Sequence, residues 1–145
     1  MGPLSLKQRI GIDIGRRLSI EEGLEWAAVN DVHFIDVQTD IDPNRLESFD
    51  NQRCEKVRKL RDQHNINLGL HTLTGVNVAE ISPFCRDAVD QYLKAYIDLA
   101  VKLDARWIVM HGGYHFTKCR PLLVQTSIER LSRMSDYAEK KGILL

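Results

Sequence analysis

Short apolar runs alternate with longer amphipathic segments along the whole chain. Each run has the length of a buried strand, and each longer segment has the hydrophobic period of a helix. Strands that alternate with helices in this way predict a parallel sheet covered by helices. The five runs are residues 9–14, 33–37, 67–71, 107–111 and 143–145.

Capping residues mark where the helices begin and end. Ser19 with Glu22 forms a capping box, which predicts the start of the first helix. Ser82 followed by Pro83 predicts the N-cap and the first helical residue of the third helix. The sequence further predicts a second helix over residues 50–64, and a fourth helix that follows Pro121 and ends at Gly142.

Two architectures fit this alternation, an open doubly wound sheet and a closed barrel. A dinucleotide-binding open sheet would carry G-x-G-x-x-G after the first strand, and residues 11–16 lack that spacing. The chain also has no Walker-type phosphate loop. Because polar residues stand at the strand ends, we favour the barrel. We therefore expect the N-terminal half of a TIM-type (β/α)₈ barrel, with parallel strands inside outer helices, and a single partial domain over residues 1–145.

The composition limits which binding partners and which cellular compartment we expect for this chain. Twenty basic side chains balance twenty acidic ones, so no overall charge attracts nucleic acid or a membrane surface. No apolar run approaches the roughly 20 residues of a membrane span, and the N-terminus lacks the apolar region of a signal peptide. Cys54, Cys85 and Cys119 are widely spaced and typical of thiols in a reducing compartment. We expect a cytoplasmic protein with a small-molecule partner.

Two histidines stand at the ends of predicted strands. His71 ends the third run and His111 ends the fourth. Because neighbouring parallel strands end about 5 Å apart, the two imidazoles are expected to converge on one metal ion or one substrate oxygen. Two histidines are too few for a complete catalytic zinc site. A simple hydrogen-bonded histidine pair is the alternative.

Other polar residues are placed near the same strand ends. His115 follows the glycine turn after His111 and is expected to face either the site or solvent. Asp36 alternates with apolar neighbours in the second run, so inside a barrel it would bind a sugar hydroxyl or orient a ligand histidine. A salt bridge of Asp36 with Arg9 or Arg16 is the alternative interpretation.

These segments together resemble the xylose isomerase-like TIM barrels. Residues 68–72 are similar to the third strand of that superfamily with its terminal His, and residues 107–113 to its fourth strand running into His and Gly. Residues 34–37 resemble the second strand, although Asp36 stands where the family commonly has Glu. Residues 140–145 resemble the approach to the fifth strand. The superfamily contains sugar and sugar-phosphate isomerases and epimerases together with endonuclease IV.

The resemblance implies a divalent metal (Zn, Mn, Mg or Co) in the complete family fold. In the endonuclease branch, the positions that match His71 and His111 bind zinc. In the isomerase and epimerase branch, the metal ligands come from the fifth to eighth strands, and the earlier histidines line the substrate pocket. The sequence ends at residues 143–145, before the glutamate of the fifth strand, so we expect a truncated half barrel that lacks most metal ligands.

Three hypotheses follow from the resemblance. The first is a metal-dependent sugar or sugar-phosphate isomerase or epimerase that abstracts a proton next to a carbonyl, and whose substrate contacts Asp36, His71, His111 and His115. The second is an endonuclease IV-like nuclease with His71 and His111 as zinc ligands, which the neutral charge makes less favoured. The third is a non-catalytic half barrel that assembles with a partner, for example as a homodimer that completes the barrel.

Overall fold

The computed structural model describes residues 6–114 and 118–145. Its strands are β1 (Gly11–Asp13), β2 (Phe34–Val37), β3 (Asn67–His71) and β4 (Trp107–Val109). Its helices are α1 (Ile20–Val29), α2 (Asn51–His64), α3 (Arg86–Leu103) and α4 (Arg120–Glu139). Among the described residues, no helix combines the length and the apolar character that crossing a bilayer requires.

The strand order distinguishes the two predicted architectures. All neighbouring strands pair in parallel, and their order in the sheet is their order in the chain, β1-β2-β3-β4. A doubly wound sheet reverses its strand order at a switch point, whereas a barrel adds each strand beside the last. The structure thus confirms the prediction of an α/β fold with the architecture of an N-terminal half barrel.

The predicted approach to a fifth strand is also present. Leu144 forms a parallel bridge with Trp107. The Ile108 N–H donates to the Leu144 carbonyl at 2.8 Å, and the Leu144 N–H donates to the Arg106 carbonyl at 3.1 Å. The last described residues therefore continue the sheet on the far side of β4.

Alternation along the strands separates two faces of the sheet. Ile35 and Val37 are fully buried against the helices, as are Leu68 and Leu70. The residues between them point to the opposite side, which we call the inner face because it would line the interior of a closed barrel. The inner face carries Phe34 and Asp36 from β2, Gly69 and His71 from β3, and Trp107 from β4.

The start of α1 matches its predicted capping box. The Ser19 side chain accepts the Glu22 N–H at 3.2 Å, and the Glu22 carboxylate accepts the Ser19 N–H at 2.8 Å. The start of α3 was predicted wrongly at Ser82 and Pro83. The Ser82 carbonyl accepts the N–H groups of both Cys85 and Arg86, which makes a separate tight turn, and the regular helix begins only after it at Arg86.

Candidate functional site

Three side chains predicted near the strand ends, those of Asp36, His71 and His111, meet that of Asp13 on the inner face at the carboxyl edge of the sheet. Asp13 of β1 pairs in register with Asp36 of β2, which pairs with Gly69, two residues before His71. Register therefore places the two carboxylates and the His71 imidazole side by side. His111 reaches the same place from beyond the end of β4.

The two imidazoles face each other closely. Their Nε2 atoms are 3.2 Å apart, and the ring centroids are 5.2 Å apart at an interplanar angle of 29°. His71 is the last residue of β3, as predicted. His111 does not close β4 as predicted, because the strand ends at Val109, whose carbonyl accepts the Thr72 N–H at 3.0 Å. His111 thus lies in an irregular segment rather than in the sheet.

Two carboxylates stand behind His71. Its Nδ1 atom is 3.3 Å from Asp36 Oδ2 and 3.4 Å from Asp13 Oδ2, at ion-pair distance. The same buried Nδ1 makes no hydrogen bond of good geometry in the described structure, so the carboxylates act on the ring mainly through their charge. This placement favours the interpretation that Asp36 orients a histidine over a salt bridge with Arg9 or Arg16.

Asp36 is the more buried of the two carboxylates. Burial raises its pKa, the negative charge of Asp13 raises it further, and His71 opposes both effects. Close carboxylates favour a proton on His71 Nδ1, which leaves the Nε2 lone pair directed toward His111. The site can therefore accept a hydrogen bond from a hydroxyl or bind a cation at this nitrogen.

The loop after β3 contributes a hydroxyl that the sequence analysis missed. Thr74 Oγ1 lies 3.0 Å from His111 Nε2, the atom that also faces His71. A threonine hydroxyl can donate to a neutral imidazole nitrogen or accept from its N–H, so Thr74 contributes to the position of the His111 ring in either tautomer. The only signal in the sequence is that Thr74 follows a strand end on the face where barrel enzymes place their sites.

A hydrogen-bonded cluster of Asp40, Tyr92 and Tyr96 supports the carboxyl end of β3. The Tyr92 hydroxyl donates to Asp40 at 2.8 Å, and the Tyr96 hydroxyl donates to the other Asp40 oxygen at 2.5 Å. The Tyr96 oxygen also lies 3.2 Å from the His71 carbonyl oxygen. Burial, reinforced by Asp40, raises the pKa of Tyr96 to about 12, so this tyrosine remains a neutral donor. Asp40 therefore supports the backbone that carries His71.

The donor set fits part of a metal site. Two nitrogens bound to one tetrahedral zinc at about 2.0–2.1 Å would be separated by about 3.3–3.4 Å, and the two Nε2 atoms are 3.2 Å apart. Within residues 6–114 and 118–145, no cluster of three or more His, Cys, Asp or Glu side chains is arranged to hold a metal ion. His115 lies outside the described residues.

Known proteins share this fold. D-psicose 3-epimerase, solved in the presence of D-fructose, superposes with a TM-score of 0.76 at 16% identity, over 92% of this chain and 50% of that chain. The epimerase from Clostridium cellulolyticum, solved with D-tagatose, gives a TM-score of 0.76 at 14% identity, over 92% and 49%. Endonuclease IV from Thermus thermophilus gives a TM-score of 0.71 at 16% identity, over 93% and 49%.

The chain spans about half the length of each of these structures. At such low identity the superpositions show the fold alone. No curated protein matches the chain by sequence. The model of one family, described as the xylose isomerase-like TIM barrel, matches residues 15–145. Since that match covers nearly the whole chain and agrees with the strand order, the chain belongs to the xylose isomerase-like TIM barrel family.

Proposed function

We propose that this chain is the N-terminal half of a divalent-metal-dependent sugar or sugar-phosphate isomerase or epimerase, which moves a proton at the carbon next to a carbonyl. In this proposal residues 1–145 form one partial barrel domain. The observation that carries the proposal is the pair of Nε2 atoms, 3.2 Å apart on the inner face, with two carboxylates behind one of the rings. Similar solved structures named as D-psicose 3-epimerases and L-ribulose 3-epimerase support it.

The charges around the imidazoles favour a sugar over a nucleic acid. Asp13 and Asp36 place negative charge beside His71, and a phosphodiester backbone would have to approach that charge. Tight binding of nucleic acid depends on basic side chains that neutralise phosphates. Sugar hydroxyls are neutral donors and acceptors, which imidazole nitrogens and carboxylates bind well. We therefore rank the endonuclease IV-like function second.

The proposed roles follow from the contacts. His71, oriented by Asp13 and Asp36, accepts a hydrogen bond from a substrate hydroxyl through Nε2. His111 accepts from a second hydroxyl or from Thr74. Asp36 and His115 complete the substrate contacts in this proposal. The carboxylates that transfer the proton belong to the other half of the barrel.

A metal ion fits between the imidazoles. The two Nε2 atoms lie 3.2 Å apart, so the N–H of one ring can donate to the other ring nitrogen, and a cation bound by both nitrogens would take the place of that proton. His71 and His111 are the residues that would hold the ion, and the remaining ligands would come from the completing half. Zinc, manganese, magnesium or cobalt would polarise the substrate oxygens when bound. The imidazole nitrogens favour zinc or cobalt over magnesium.

The open inner face indicates how the site is completed. Val109 is 38% exposed and Leu144 is 70% exposed at this side of the sheet. We propose that a second half barrel covers them, supplied either by further chain or by a second copy in a homodimer. The exposed thiol of Cys85 and the neutral charge suit a reducing cytoplasm, where we place the reaction.

Binding of ketoses to the imidazole pair tests the proposal. D-psicose and D-fructose, added with Mg²⁺ or Zn²⁺, should shift the ring resonances of His71 and His111 in NMR spectra, and the shifts should saturate. His71→Gln should abolish the ligand-induced shifts of His111. His33→Gln, the same change at the amino end of β2, should leave them intact, because His33 pairs with Asp31 away from the carboxyl edge.

The alternatives predict different spectra. If a duplex with an abasic site shifts these rings with steep salt dependence, and the ketoses do not, the nuclease hypothesis replaces this one. If neither ligand nor metal shifts them, the half barrel is a non-catalytic module.

A further inference from the structure

We propose that Asn77 is a positioning residue for the imidazole pair. Its side-chain oxygen joins the loop after β3 (residues 72–82, the β3 loop) to the segment after β4 (residues 110–114, the β4 segment). That connection holds His111 against His71. The importance of this position for catalysis rests on the proposed function, but the positioning itself does not.

His111 needs such support because the sheet does not hold it. Regular pairing of β4 with β3 ends at Val109. The next two residues after His111 are glycines, which restrict the backbone least. The place of the His111 ring must therefore be set by contacts from outside the strand.

Asn77 supplies two of these contacts with one atom. Its Oδ1 accepts the N–H of Ala79 at 3.1 Å, which shapes the β3 loop. The same Oδ1 accepts the N–H of Tyr114 at 3.0 Å, which anchors the β4 segment three residues after His111. Both donors are backbone groups, so the bridge depends on an acceptor at position 77 and not on the side chains at 79 and 114.

The backbones pack closely at this bridge. Gly113 adopts a left-handed conformation with φ of +88°, which favours glycine. A Cβ added there would lie 2.6 Å from the Ala79 nitrogen and 3.0 Å from Asn77 Oδ1. The β4 segment thus rests directly on the turn that Asn77 closes.

Two further contacts tie the bridge to the imidazole. The Tyr114 hydroxyl donates to the Thr74 carbonyl at 3.1 Å, and the Thr74 hydroxyl lies 3.0 Å from His111 Nε2. From the other side, the buried Arg130 of α4 donates to the carbonyls of Val78 and Glu80. The β3 loop is therefore a rigid support, and Asn77 is where the β4 segment attaches to it.

Matched substitutions at one position test this role. Asn77→Leu keeps the approximate shape and removes the acceptor, whereas Asn77→Asp keeps an acceptor oxygen. The readout is the NOE between the ring protons of His71 and His111, which depends on the inverse sixth power of their distance. We expect the NOE to be lost in Asn77→Leu and retained in Asn77→Asp. Asn51→Leu, at an exposed residue of α2, should leave it unchanged.

The proposal is overturned if folded Asn77→Leu keeps the NOE, or if Asn77→Asp loses it. Should Asn77→Leu fail to fold, hydrogen exchange of the unmodified protein decides instead. The amides of Ala79 and Tyr114 should exchange more slowly than in an unstructured peptide, and exchange at the peptide rate would contradict the bridge. Neither measurement uses a substrate, so failure here is distinguishable from failure of the proposed function.

Discussion

The surroundings of Asp36 disfavour the negatively charged form of its carboxyl group. Burial raises its pKa most strongly, Asp13 adds repulsion, and His71 offsets part of both. Because the pKa in the folded protein lies above the ordinary value of 3.8, the protonated form is favoured by folding. The stability that Asp36 contributes is therefore present below pH 3.8 and is lost as the pH rises through the raised folded pKa.

Removing the neighbouring charges should shift this pKa in opposite directions. Asp13→Asn deletes a repulsive carboxylate, so the Asp36 pKa should fall toward 3.8. His71→Gln deletes the group that lowers it, so the pKa should rise. Titration of the Asp36 carboxyl carbon by ¹³C NMR measures both shifts. An Asp36 pKa that is the same in all three proteins would show that the carboxylates and the ring do not form one cluster.

The sequence predicted the site residues unevenly. Asp36 and His71 belong to strands, whose period of two residues fixes the face on which a side chain lies. His111 was predicted at the right edge of the sheet but inside a strand that in fact ends two residues earlier. Thr74 and Asn77 were missed because loop conformation has no period from which a contact could be inferred.

Strands β3 and β4 pack closely because the glycine at position 69 leaves space for the Trp107 indole. Gly69 pairs in register with Trp107, and a Cβ at Gly69 would overlap the Trp107 indole. The indole also packs against Phe34, with ring centroids 6.2 Å apart. Trp107 is therefore a packing residue of the inner face. The ring lies on the inner face just below the imidazoles.

Gly69→Ala should therefore destabilise the protein by about 1–3 kcal/mol, because the added methyl group displaces the indole. Urea unfolding measures the change. Emission of Trp107, recorded in a Trp26→Phe background, should shift as the ring moves. Gly112→Ala is the matched control, because nothing lies within 4 Å of its added Cβ. Equal stability of Gly69→Ala and the unmodified protein would contradict the close packing of these strands.

Helix starts show what local sequence can and cannot determine. The capping box at Ser19 and Glu22 lies within four consecutive residues, and α1 begins where it predicts. Ser82 and Pro83 also have the residue types of a helix start, but the Ser82 carbonyl closes a separate turn and α3 begins at Arg86. Residue types alone therefore do not specify at which residue after a turn the regular helix begins.

At the scale of the whole molecule, the fold was predictable because one unit repeats. Each strand and helix packs on the next, so the order of apolar patterns indicates a parallel sheet covered by helices, and the polar residues at the strand ends favour the barrel over an open sheet. The family match over residues 15–145 agrees with that architecture. The residues that cover the open inner face could not be predicted, because the sequence of one half barrel contains no direct information on them. The further metal ligands that we propose in addition to His71 and His111 belong to that question.

Hydrogen exchange into a ketose tests the central claim most directly. The completed barrel, this chain together with the half that covers its inner face, is incubated with a divalent metal and D-psicose or D-fructose in D₂O, and the sugar is analysed by NMR. We predict that deuterium enters at a carbon next to the carbonyl, and that His71→Gln slows this exchange about tenfold, the cost of one substrate hydrogen bond. Sugars that remain unlabelled under every metal, while an abasic duplex is cleaved, would contradict the account.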